Sequence, residues 1–152
     1  DTSKTDLIVA EVLRKSLLAL VAWDRGDTVR AIALLEEATA EEEAMPLDFG
    51  PPVIVKPSHE LLGELLLRLQ RPEEAGRMFE KALERAPRRS LSLSGLARAA
   101  AATSATERLA RACSELADIY AGADASVRPP EPCASRTVAG GGAAEPARST
   151  AP

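Results

Sequence analysis

Aromatic residues are scarce: one Trp, one Tyr and two Phe make up 3% of the 152 residues, while hydrophobic residues reach 45%. A core is affordable, but it must be built mostly from Leu, Ala, Val and Ile. Small aliphatic side chains suit close helix-on-helix packing. There is a single His and only two cysteines, Cys113 and Cys133, with no Cys-x-x-Cys. That count excludes a disulfide scaffold or a zinc ribbon. No clustered Lys or Arg stands out against a net charge of -4, so nothing resembles the basic footprint of a nucleic-acid binder, and an acidic surface disfavours anionic membranes. No apolar run reaches membrane-spanning length and no signal peptide is visible. The chain starts at Asp1 instead of Met. It is therefore expected to be processed or cut from something longer, and the compartment stays open, with the cytoplasm preferred and export allowed.

What is present is helical periodicity. From about residue 5 to 25, Leu7, Ile8, Val12, Leu13, Leu17, Leu18 and Val21 recur at i, i+3, i+4 spacing. Gly26 suits the left-handed end of that helix, and Asp27 suits the cap of the next. A second helix, to about residue 44, places Ala31, Leu34, Leu35 and Ala38 on one face and crowds glutamates elsewhere. The run Glu36–Glu43 reads as solvated convex surface. Residues 46–57 hold Pro46, Gly50, Pro51, Pro52 and Pro57, which oppose helix, so a loop is predicted in which Val53, Ile54 and Val55 pack somewhere.

Ser58 is predicted to cap a third helix carrying Leu61, Leu62, Leu65, Leu66 and Leu69. Pro72 stands in the first turn of a fourth, which carries Ala75, Met78, Phe79, Ala82 and Leu83 and ends before Pro87. A fifth runs from about residue 91 to 102. Ser104 and Glu107 form a capping-box pattern for a sixth, which ends near Tyr120. From 124 to 152 the chain is rich in Pro, Gly, Ala, Ser and Thr, a composition expected of a disordered tail.

The helices also repeat. Leu62, Gly63, Leu66, Ala75, Phe79, Ala82 and Pro87 fall at the offsets of one tetratricopeptide repeat (TPR), which residues 56–89 resemble. Gly63 and Ala75 are small where helix A crosses helix B, and Phe79 fills the gap below. One period later, Leu93, Leu96, Ala97 and Ala100, then Leu109, Cys113, Leu116 and Ala121, occupy the matching places in a more degenerate repeat over residues 90–122. One period earlier, Leu18, Ala19, Ala22, Ala31, Leu35 and Ala38 fit a repeat over residues 5–45, followed by roughly ten extra loop residues. The fold class this implies is an all-α, right-handed α-α solenoid of about three helix-turn-helix repeats over residues 1–123. The alternative is a generic antiparallel bundle. The Pro-rich loop before the third helix also looks like the C-terminal part of larger bacterial TPR proteins, which would place further repeats before Asp1.

The resemblance implies a concave groove lined by the A helices. Its offsets fall on Leu13, Ser16, Leu20, Trp23 and Asp24; on Pro57, Glu60, Glu64, Leu67 and Arg68; and on Leu91, Ser94, Arg98, Ala101 and Ala102. Candidate partner contacts are Trp23, Glu60, Glu64, Leu67, Arg68, Ser94 and Arg98. The competing reading of Glu60, Glu64 and Arg68 is a merely solvated stripe with a weak Glu64–Arg68 pair. The carboxylate clamp of some TPR proteins is missing from these offsets, so a basic or mixed partner is expected. Trp23 is read as an inter-repeat packing residue in preference to a partner anchor.

His59 is read as a helix-surface residue, and Cys113 as a small core hydrophobe with Cys133 in the tail. No catalytic set, cofactor or metal site is predicted. The function implied is a module that binds a partner protein or peptide. The alternatives are an assembly or capping module of a longer solenoid, including a homo-oligomer, and the accessory domain of an enzyme.

Overall fold

The computed structural model describes residues 2–46, 53–124 and 126–135. The expected loop residues 47–52 and tail residues 136–152 lie outside them. Among the described residues six full helices follow in order: α1 (Thr2–Asp24), α2 (Thr28–Glu43), α3 (Ser58–Arg68), α4 (Pro72–Arg85), α5 (Ser90–Ala102) and α6 (Thr106–Tyr120), and residues 133–135 are again helical. They pair as hairpins α1–α2, α3–α4 and α5–α6, and the hairpins stack in succession, α2 against α3 and α4 against α5. The A helices α1, α3 and α5 also touch in sequence along one side. This is an α-α solenoid.

The turns within the hairpins repeat at the level of the backbone. Gly26, Gln70 and Ser104 each carry a positive φ, between 56° and 80°. In each case the next residue donates its amide back to the helix: Asp27 to Ala22 O, Arg71 to Leu66 O and Ala105 to Ala100 O, all at 2.9 Å. These are helix C-terminal motifs that satisfy orphan carbonyls. Only the first uses glycine. The left-handed conformation is imposed on Gln70 and Ser104 by the hairpin geometry.

Helix N-termini are secured in different ways. Asp27 caps α2 through Oδ1, which accepts from Arg30 N at 3.1 Å, as the sequence predicts. In α4, Pro72, Glu73 and Glu74 open the helix and Arg85 closes it, which matches the macrodipole at both ends. Two predicted caps are corrected. Ser104 is the left-handed turn residue, and α6 has no side-chain cap. Ser58 does not cap α3 with its hydroxyl; its backbone amide instead donates to Glu42 Oε2 at 2.7 Å. A carboxylate from the preceding helix thus supplies the α3 cap, which no local pattern could reveal.

One core runs through all three hairpins. It includes Ala19, Ala31, Leu35, Leu65, Ala75, Phe79, Leu93, Ala97 and Leu116, and Trp23 packs on it partly buried. A second, smaller cluster joins Val9, Val12, Ala38 and Ile54. Ile54 is the loop residue that anchors, whereas Val53 and Val55 stay exposed. No strand forms among the described residues of the loop.

The C-terminal region departs from expectation. Cys133 is fully buried in the main core and bonded to Cys113 as a disulfide. One bond is not the disulfide scaffold that the cysteine count excludes, but it corrects the reading of Cys113 as a plain core residue with Cys133 in a structureless tail. Composition was a poor guide here, because Cys133 is tied to α6 by a covalent bond that average hydrophobicity does not register.

Candidate functional site

The A helices α1, α3 and α5 line up along the side where the repeat offsets place a groove. In α3 the leucines Leu61, Leu62, Leu65 and Leu66 are buried against neighbouring helices, which leaves Glu64, Leu67 and Arg68 toward the rim. Helices can stack this closely because of glycines. An added Cβ at Gly63 would lie 2.9 Å from the Phe79 ring, and one at Gly95 only 2.3 Å from it. Phe79 is thus held between α3 and α5, fully buried. Gly63 was legible from the repeat offsets; Gly95 was missed. The signal available was a glycine inside a helical pattern, which marks a close approach.

Glu60 is a correction. The groove offsets expose it, yet the structure buries it completely. Its Oε2 accepts from Arg89 Nε at 2.6 Å and from Ser92 Oγ at 2.5 Å, and its Oε1 accepts from Arg89 at 3.0 Å and lies 3.2 Å from Lys56. Burial works to raise the Glu60 pKa, but the Arg89 and Ser92 bonds with the Lys56 charge outweigh it and hold the carboxyl below its ordinary value. The carboxylate therefore bridges α3 to the start of α5. A buried charge persists only when paired and hydrogen-bonded in this way.

Glu64 is half-buried and pairs with Lys56, not with Arg68. Leu67 packs partly buried against the core. Ser94 is half-buried, and Arg68 and Arg98 are exposed. Neither arginine makes a salt bridge among the described residues. Trp23 is half-buried on the core, which agrees with the packing role.

The acidic run of α2 is not simply solvated. Glu41 and Glu37 receive Lys15 at 2.7 and 2.9 Å, and these bonds raise the Lys15 pKa. Glu42 is buried as the α3 cap, and Glu43 Oε1 lies 3.0 Å from His59 Nε2. His59 itself is buried, not a surface residue, with Nδ1 and the neighbouring Ser58 Oγ lacking partners. Among the described residues, no group of three or more His, Cys, Asp or Glu side chains could hold a metal, and no helix is long and apolar enough to cross a membrane.

The N-terminal end presents the largest apolar exposure. Leu13, Leu17, Leu20 and Val21 share one side of α1 and all are exposed. Leu13 and Leu20 fall at groove offsets, while Leu17 and Val21 lie beside them, so the apolar stripe adjoins those offsets.

A family model described as tetratricopeptide repeat matches residues 15–37 and 57–81. These spans take in the second half of α1 with much of α2, and α3 with much of α4. No curated protein and no solved structure matches the chain.

Proposed function

Because the chain contains tetratricopeptide repeats, a family whose general role is protein–protein interaction, we propose that it holds a segment of a partner protein in a groove along α1, α3 and α5. The contact residues in this reading are Leu67, Arg68, Ser94 and Arg98, with Glu64 at the edge and Trp23 supporting from the core. The observation that carries it is the imbalance of charge left at the groove offsets. Glu60 is consumed by Arg89 and Ser92, and Glu64 by Lys56, so Asp24 is the one exposed acid at those offsets, while Arg68 and Arg98 stay exposed without a salt bridge. The partner segment that complements this surface is acidic or mixed. A basic one, which the bare sequence favours, would meet two free guanidinium groups. Arginine also suits this task because its fork binds carboxylates in bidentate fashion.

Peptide display against the full chain tests the proposal. Selected peptides are expected to be enriched in Asp and Glu, and the double substitution Arg68→Glu with Arg98→Glu is expected to weaken them by about tenfold, or about 1.4 kcal/mol. Affinities unchanged by the double substitution would remove the groove as the binding surface.

A second reading, assembly, is favoured by one observation. One side of α1 shows Leu13, Leu17, Leu20 and Val21 to solvent, an apolar stripe of the kind that a packed neighbour covers. Light scattering over a range of concentrations decides it. A monomer at every concentration, with Leu17→Glu making no difference, would end that reading.

A further inference from the structure

We infer that Cys113 and Cys133 form a covalent clasp that makes the docking of the strap on α6 dependent on an oxidising environment. The two residues are the only cysteines of the chain, and both are spent on one bond. Their Cα atoms stand 5.1 Å apart, within the ordinary reach of a disulfide. Both are buried, Cys133 fully.

Most of the described strap, residues 126–135, is exposed. It contains Pro129, Pro130 and Pro132, and Val127 is exposed. Cys133 is its one buried residue, closing a turn by donating its amide to Pro130 O at 3.0 Å. One small side chain returns less free energy than the conformational entropy lost on ordering some ten residues. The covalent link closes that gap by confining the strap in the unfolded chain as well. On the other side, Cys113 sits in α6 among Ala112 and Leu116, in the same core cluster as Cys133. α6 is the last of the stacked helices among the described residues, and the strap is joined to it through the disulfide.

Closure is a thiol–disulfide exchange with a low-molecular-weight disulfide. The thiolate of one cysteine attacks the oxidant and releases one thiolate from it. The second cysteine, as thiolate, then attacks the mixed disulfide and expels the other. Two protons leave the cysteines, and their two electrons leave with the reduced oxidant. Such bonds persist in secreted, periplasmic and other oxidising settings and are rare in reducing ones. The clasp therefore assigns the folded chain to an oxidising compartment, against the preference for the cytoplasm that the sequence alone supports. In a reducing one, the strap would come off α6.

The test uses the full chain refolded with glutathione disulfide. Alkylation in denaturant, read by intact mass, is expected to add no label before reduction and two labels after it. Hydrogen exchange is expected to rise on reduction in residues 126–135 and in α6 around Ala112–Leu116, while α1–α4 keep their protection. Cys133→Ala is expected to reproduce the reduced pattern without reductant. Two labels in the unreduced sample would overturn the inference, because the bond would not form. A disulfide whose reduction leaves exchange at the strap and α6 unchanged would also overturn it, and so would loss of protection throughout the chain.

Discussion

Two joints hold the three hairpins together, and their chemistry differs. Between the second and third hairpins, one Phe79 ring is pressed between backbone at Gly63 and Gly95, with Glu60 clamped across to Arg89 and Ser92 nearby. Between the first and second, roughly ten extra residues intervene, and the connection is made by Ile54 in its own small cluster, by Glu42 capping α3 and by Glu43 against His59. Apolar contact is non-directional and rewards close approach, so a joint built on it wants glycine and a regular period. A joint interrupted by a loop cannot hold that period. It adds directional polar contacts to the shared apolar core, and these tolerate a larger spacing at the cost of leaving Ser58 Oγ and His59 Nδ1 buried without partners.

The contrast is broken most directly at Phe79. Phe79→Ala is expected to destabilise the chain by about 3–5 kcal/mol, measured by urea denaturation, because a fully buried ring leaves a cavity between two hairpins. Gly95→Ala attacks the same contact from the other side. A methyl 2.3 Å from the ring must displace it, whereas one at Gly63, at 2.9 Å, asks for less. Overpacking of about 1–3 kcal/mol is expected at Gly95, offset in part by the higher helix propensity of alanine, with a smaller loss at Gly63. Equal effects would mean that the ring does not sit closer to α5.

Glu60→Gln sharpens the polar side of the same joint. Its folded pKa lies below the ordinary glutamate value of 4.5, so the carboxylate contributes stability above that value and loses it as pH falls through the folded pKa. Glu60→Gln is therefore expected to cost about 2 kcal/mol near neutral pH, and the deficit should shrink on acidification. A deficit that stays constant down the acid limb would show that the ionised form is not the one being stabilised. The smallest effect runs in the opposite direction. Gln70→Gly relieves a left-handed residue with φ of 58° and is expected to change stability by no more than about 1 kcal/mol, toward greater stability, read as a small rise in Tm.

Much of the fold was legible because its determinants are local or periodic. Six helices begin and end within a few residues of where apolar spacing, Gly26, Asp27 and Pro72 place them. The pairing into hairpins followed from recurrence at about 34 residues. The candidate site was less legible. Arg68 and Arg98 are exposed and Ser94 half-buried, but Glu60 is fully buried, because its partner Arg89 is remote in sequence and appears at that site only once α5 has packed. Glu42, Glu43 and His59 were read as surface residues for the same reason: a glutamate run on a helix looks solvated until another helix N-terminus arrives above it.

The sequence by itself determined where helices form, that they alternate in matched pairs, and that small residues stand where they cross, since each follows from spacing along one chain. Which carboxylates end up buried, which arginines are left unpaired, and that Cys133 returns to the core beside Cys113 were decided only by tertiary structure. Those outcomes depend on contacts between segments distant in sequence, and a charge or a thiol takes its role from whatever the fold brings against it.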